Sequence, residues 1–328
     1  MGSIAAVARL TLLGAVLIAL ALVGCAEQPL ATNRPVQIAL NWFPEHEHGG
    51  YYAALTDGIY TAAGLDVRLL PGGPGAPVIA RVASGDVDFG VLNADDVVTA
   101  RAASAPLVAL FAPIQTSPWC IMVHRASGIE RLIDLHDLTL AIQVSAAQYQ
   151  FLRRHAPLPG VTAVPYTGSI AEFLINPRYA QQAYVISEPL LATANGGDPR
   201  CLLLADLGFD PYTSVLVTRE DLLTTQPELV SRVVAASRDG WQRYVATPER
   251  GNAAILAVNP QIGRETLTKG AAALRPLIQT GAALGSMTGA RWDTLAQQLV
   301  TIGAIDAAPE PHTCFSDAAR PASLAPIP

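Results

Sequence analysis

The feature that most constrains this chain is an alternation of short apolar runs with helical stretches that occurs twice, broken by two extended crossings. Residues 36–40 alternate like a strand, with Val36, Ile38 and Leu40 on one side, and end at Asn41-Trp42. A helical stretch opens at 51–55, and Gly58 and Gly64 punctuate its end. Residues 65–70 read as a second strand, Pro71-Gly72-Gly73-Pro74-Gly75 as a turn, and 76–84 as a helix. Residues 87–92 are apolar enough for a buried strand, Asn93-Ala94-Asp95-Asp96 starts the next helix, and 107–111 is another strand. Such alternation predicts a parallel sheet covered on both faces.

The pattern then repeats. Residues 120–123 are extended and apolar, and 138–143, 161–164 and 183–186 are strand candidates separated by helical stretches. A second extended run, 214–217, leads to Thr218 as an N-cap candidate for a mostly helical remainder. The fold class is therefore α/β: two lobes with a cleft, two hinge crossings near 117–124 and 211–218, and a helical C-terminal tail. The expected boundaries are 36–117 plus 218–306 for lobe 1 and 118–217 for lobe 2. Residues 307–328 are rich in Pro and Ala and are expected to be poorly ordered. Ligands of open parallel sheets bind at the carboxyl ends of strands. Here those ends are Asn41-Trp42, Gly72-Gly73, Asn93 and Gln115, with Tyr166 and Ser187-Glu188 across the cleft.

The start of the chain speaks to location. Residues 1–24 carry a single charged side chain, Arg9, before an apolar run at 10–23, the layout of an export signal. The run closes on Leu22-Val23-Gly24-Cys25, which resembles a bacterial lipobox whose cysteine thiol receives a diacylglycerol. An ordinary signal peptide with an incidental cysteine is the other reading. Acyl chains on Cys25, at roughly 0.8 kcal/mol per buried CH₂, would hold the protein at a membrane surface. Residues 25–35 then read as a tether. The expected location is the cell envelope, either periplasmic or on the outer face of the cytoplasmic membrane.

The net charge of −6 argues against nucleic-acid binding, which calls for a basic face. Cys120, Cys201 and Cys314 lack the short paired spacing of a zinc site. In an oxidising compartment one pair could bridge, and the spacing leaves open which. Glu45-His46-Glu47-His48 invites a metal reading, but no distant third ligand stands out, so no metal is expected.

Several segments together resemble one family. They include Leu40-Asn41-Trp42-Phe43-Pro44, His48-Gly49-Gly50-Tyr51-Tyr52-Ala53-Ala54, Gly85-Asp86-Val87-Asp88-Phe89-Gly90 and Gln115-Thr116-Ser117-Pro118. Tyr184-Val185-Ile186-Ser187-Glu188-Pro189, Gly240-Trp241 and Arg291-Trp292 follow in order. This set resembles the thiamine-pyrimidine-precursor binding proteins of the SsuA/ThiY-like group, over residues 36–303. The resemblance implies a type II periplasmic-binding-protein fold, and a monomer that passes a small molecule to the permease and ATPase subunits of an ABC importer. It implies a thiamine-type pyrimidine as ligand, with riboflavin, sulfonates and nitrate also found in the group.

The resemblance carries Asn41, Tyr184 and Glu188 over as ligand contacts. The Asn41 amide offers both a donor and an acceptor to a ring edge. Glu188 would accept from an exocyclic amine, and could equally cap the helix that starts at Pro189. Trp42 supplies either a stacking face or a core aromatic. Gly72 and Gly73 let backbone approach a ligand. His48, Asn93 and Tyr166 are further cleft candidates, and Asp95 and Asp96 read as helix caps. Fungal relatives on this fold are pyrimidine-forming enzymes that hold pyridoxal phosphate on a lysine. The only lysine here is Lys269, late in the helical tail, so the chain reads as a binding protein with no cofactor and no catalytic residues.

Overall fold

The computed structural model describes residues 34–279 and 281–317. The leader, Cys25, most of the tether and residues 318–328 lie outside the described residues. Among the described residues, no helix is long and apolar enough to cross a membrane.

Among the described residues, ten strands form two five-stranded sheets. They are β1 (Val36–Ala39), β2 (Val67–Leu70), β3 (Phe89–Leu92), β4 (Leu107–Phe111) and β5 (Trp119–His124), then β6 (Thr139–Ala141), β7 (Thr162–Val164), β8 (Tyr179–Tyr184), β9 (Pro199–Leu203) and β10 (Val215–Arg219). The first sheet runs β2-β1-β3-β10-β4 and the second β7-β6-β8-β5-β9. In each, four strands connected by helices run parallel to one another, and one strand entering from the other lobe is antiparallel to both of its neighbours. The chain belongs to α/β two-lobed architecture with mixed sheets and C-terminal helices.

The segments expected as crossings are themselves strands of the sheets. Trp119–His124 is β5, and 215–218 lies in β10 of the first sheet. The apolar runs pair there because an extended chain buried between two neighbours must satisfy its backbone groups. The passages between sheets are the shorter stretches 112–118 and 209–214, and they touch at an Ile114–Thr213 bridge. Thr218 is not an N-cap. It lies within β10, buried, and its hydroxyl donates to the Asp88 carbonyl. The β8 strand starts four residues earlier than its apolar run, because Gln181 and Gln182 lie inside it. The edge strand β9 was not anticipated.

Helices of the tail cover the first sheet on both faces. Leu229, Val230, Val233, Trp241 and Leu267 pack with Ile38, Leu40 and Phe89 in one core. Trp292, Leu295 and Leu299 belong to a second core with Val97, Leu107 and Val217. The helix Gly49–Thr56 lies directly against the helix Pro227–Ala246. A Cβ on Gly50 would overlap the Trp241 ring, and one on Gly240 would meet the Gly50 carbonyl. Two glycines thus let the backbones approach, as small residues at a helix contact allow.

The second lobe is thinner. Along β5, Ile121 and Val123 face one core while Cys120 and Met122 face a small cluster with Phe173 and Ala192. Cys120 and Cys201 form a disulfide between β5 and β9, with Cα atoms 5.6 Å apart, and Cys314 is free and buried. Residues 307–317 are packed rather than loose. Phe315 stacks on Trp292 at 5.8 Å and bridges to Ala109, which offsets the ordering entropy of a Pro/Ala-rich segment.

Candidate functional site

The carboxyl ends of β1, β2 and β3 face those of β6, β7 and β8 across a cleft of about 740 Å³. Asn41, Trp42, Gly73 and Asn93 line it from the first lobe, and Tyr166, Tyr184 and Glu188 from the second. Two of the expected residues stand behind this lining. His48 is fully buried. Gly72 is not at the surface of the cleft: its N–H donates to the Trp42 carbonyl, and a Cβ there would strike the Leu40 carbonyl.

His48 still shapes the site. The segment that reads as alternating is a 3₁₀ turn, His46–His48, leading into the helix Gly49–Thr56, so the two imidazoles diverge. His46 Nε2 lies 3.0 Å from the Thr266 carbonyl. His48 Nδ1 accepts the Glu45 N–H at 3.4 Å, which leaves the proton on Nε2 to donate to Asn41 Oδ1 at 3.1 Å. With its oxygen held, Asn41 presents its NH₂ group. Burial keeps both histidines neutral, lowering His46 to about 4 and His48, with the added effect of His46, to about 3.

Asn93 caps the helix Ala94–Ala102 in a reciprocal box with Asp96. Its Nδ2 also donates to the Tyr184 hydroxyl at 3.1 Å, across the cleft. That hydroxyl thereby keeps its own proton to donate. Two more bonds join the lobes. Ser187 donates to Glu45 Oε2 at 2.5 Å, and Gln148 Nε2 donates to Asp95 Oδ2 at 2.9 Å. Glu188 is fixed within its own lobe: it accepts from the Tyr166 hydroxyl at 2.5 Å and from the Tyr184 N–H at 2.8 Å. The helix is Glu188–Ala194 and its cap position is Ser187, so Glu188 does not cap it; as the first helical residue it places a carboxyl at the favourable N-terminal end while facing the cleft.

The electrostatics are one-sided. Glu45, Glu47, Asp95, Asp96 and Glu188 all line the cleft, and among the described residues no Lys, Arg or His does. Burial raises the proton affinity of each. Glu45 rises to about 8 with help from the Glu188 charge, and Asp95 rises to about 8 with help from Asp96. Glu47 rises well above the carboxylate range through burial and then through Glu45 and Glu188. Glu188 and Asp96 rise through burial, and Tyr166 and Tyr184 are held protonated for the same reason.

Reasoning from sequence missed Glu45 and Glu47 as cleft residues and assigned Asp95 only to capping. The signal was available. Four carboxylates near the ends of two parallel strands, with no Lys or Arg adjacent in sequence, mark a site rather than a solvated loop. Among the described residues, no group of three or more His, Cys, Asp or Glu is arranged to hold a metal ion.

Comparison with known proteins fits this geometry. A family model described as NMT1/THI5 like matches residues 45–251. A formylaminopyrimidine-binding protein of Halalkalibacterium halodurans is 25% identical over 190 residues, covering 57% of this chain and 46% of that protein. A riboflavin-binding protein, RibY, of Chloroflexus aurantiacus is 23% identical over 236 residues, covering 66% of this chain and 64% of its own length. The chain thus spans about half to two thirds of the curated relatives it matches. Among solved structures, the periplasmic aliphatic sulphonate binding protein SsuA of Escherichia coli superposes with a TM-score of 0.66 at 14% identity, over 86% of this chain and 92% of that one. The alkanesulfonate-binding SsuA of Xanthomonas axonopodis pv. citri, bound to MOPS, gives 0.62 at 15% identity, over 85% and 96%. At this identity the structures share the fold alone.

Proposed function

This chain belongs to the NMT1/THI5 like family, with the fold of periplasmic substrate-binding proteins, and from that premise we propose that it is the capture component of an ABC importer for a thiamine-type pyrimidine. In this reading it is exported and anchored through Cys25. The observation that carries the ligand choice is the lining of the cleft. Aromatic faces at Trp42, Trp119, Tyr166 and Tyr184 accompany amides and carboxyl groups, with no cationic side chain among the described residues. A planar ring rich in N–H donors satisfies such walls. An anionic sulfonate or nitrate would find no cationic partner among the described residues lining a desolvated cleft, which is strongly unfavourable.

Asn41 offers its NH₂ to a ring nitrogen, the Tyr184 hydroxyl donates beside it, and the free lone pairs of Glu188 accept from an amine. Both lobes contribute, so the ligand favours the closed arrangement by its differential affinity for it. The similarity to RibY gives riboflavin as a second reading.

The leaderless protein is titrated by calorimetry with 4-amino-5-hydroxymethyl-2-methylpyrimidine, its formylaminomethyl analogue, riboflavin, an alkanesulfonate and nitrate. A micromolar Kd, about −8.2 kcal/mol, is expected for a pyrimidine. Asn41→Ala and Glu188→Gln should each weaken it about tenfold, the loss of one or two hydrogen bonds, without unfolding. Binding of riboflavin but no pyrimidine would transfer the assignment to the flavin.

A further inference from the structure

Glu47 is the polar group in the cleft with the most unmet demand. Its side chain lines the cleft yet is only 4% exposed, and Oε2 has no hydrogen-bond partner. Oε1 lies 3.6 Å from His48 Nε2, whose proton is directed at Asn41. Glu45 and Glu188 are near enough to act on it by charge, and neither neutralises it. Asp95, at 5% exposure, is a milder case: Oδ2 takes the Gln148 amide, Oδ1 has no well-formed hydrogen bond, and the N–H groups of Asp95 and Asp96 partly favour its charge. Both residues line the same cleft as Tyr184, and both carboxyl groups act on its hydroxyl by charge. A buried polar atom without a partner is destabilising, and native proteins keep few of them. Two in one cleft are met most simply by the molecule that fills it.

We propose that Glu47 is a specificity-determining residue that accepts an N–H from a basic amino or amidine-like nitrogen of the ligand, with Asp95 accepting a second donor beside Tyr184. The ligand class is then a basic nitrogen heterocycle presenting its amino edge to the first lobe. This deepens the pyrimidine reading and rests on it for the choice of probe. It adds a recognition group on the opposite lobe from Glu188, so the ligand's donors are read from both sides. A basic amine favours the ionised form of Glu47 and gains a charge-assisted bond; an analogue with a carbonyl in its place leaves the carboxyl holding its proton and forfeits that bond.

The test compares three probes on the full leaderless chain: 4-amino-5-hydroxymethyl-2-methylpyrimidine, its 4-oxo analogue, and benzamidine. The wild type should prefer the amino to the oxo compound by about tenfold or more, and Glu47→Gln should lose most of that preference. The ratio is the readout because general loosening of the fold lowers both affinities together. Glu47→Met serves the same comparison should Glu47→Gln fail to fold. An unchanged ratio in the variant overturns the proposal. If no pyrimidine binds but benzamidine does so in a Glu47-dependent way, the pyrimidine reading falls and the role of Glu47 stands. If neither binds the wild type, both fall.

Discussion

The two lobes share one strand order and differ in almost everything built on it. In each, the central parallel strand triplet aims three carboxyl ends at the cleft: β1, β2 and β3 on one side, β6, β7 and β8 on the other. Asn93 after β3 meets Tyr184 at the end of β8, the matching position in the second sheet. The first lobe is thick, with helical layers on both faces and large buried aromatics such as Trp241 and Trp292. The second is thin, and one of its faces rests on a cluster of only six buried residues beside a disulfide. The site reflects this difference. First-lobe groups are held by caps and turns rooted in packed helices. Second-lobe groups hold one another, as Tyr166, Glu188 and Tyr184 do. Topology sets where a site lies, and packing sets how firmly each half is held.

The contrast is broken most severely at the first lobe's helix contact. Gly50→Val forces a side chain into the Trp241 ring and should cost about 3 kcal/mol or more, with much of the tail unpacking. Urea unfolding followed by tryptophan fluorescence measures it, and an unchanged midpoint would contradict the close helix approach. Cys201→Ser acts on the other lobe. The bridge closes a loop of 81 residues, so its loss should cost about 4 kcal/mol, confined to the second lobe. Hydrogen exchange should then show β5 and β9 opening before β1 and β3, and uniform loosening would argue that the lobes unfold as one.

A milder test sharpens the comparison through pH. The raised carboxyl groups Glu45 and Asp95 bind protons more tightly in the folded state than in the unfolded one. Their stabilising effect is full below about pH 4 and is lost as pH rises towards about 8. His46 and His48 have the opposite sense: their contribution is present above about 6.5 and is lost as pH falls through about 4 to about 3. The ligand-free protein should therefore be most stable at mildly acidic pH. Glu45→Gln and Asp95→Asn should flatten the alkaline side of a Tm-against-pH curve and leave the acid side as it is. A curve that keeps its alkaline slope in the double variant would refute the assignment.

Much of the site was readable from residue order, because the carboxyl ends of strands follow from where apolar runs stop. Asn41, Asn93 and Tyr166 sit where those runs predict, and Gly73 follows its turn. His48 and Gly72 were misplaced for the same reason: proximity to a strand end does not say which neighbour faces out. The 3₁₀ turn at 46–48 rotates His48 inward and Glu47 toward the cleft. The edge strand β9 was missed because its apolar run reads equally as loop or strand until β5 offers it a partner.

The sequence alone determined the α/β alternation, the two sets of elements and the strand ends that would meet. These follow from local periodicity, which each segment carries in itself. Only the tertiary structure decided which cysteines pair, which side chains face the cleft and which carboxyl groups are left without partners. Those outcomes depend on contacts between residues as far apart as Asn93 and Tyr184, or Cys120 and Cys201. They also depend on burial, which changes what a carboxylate costs and is set by the whole fold rather than by any residue's neighbours in the chain.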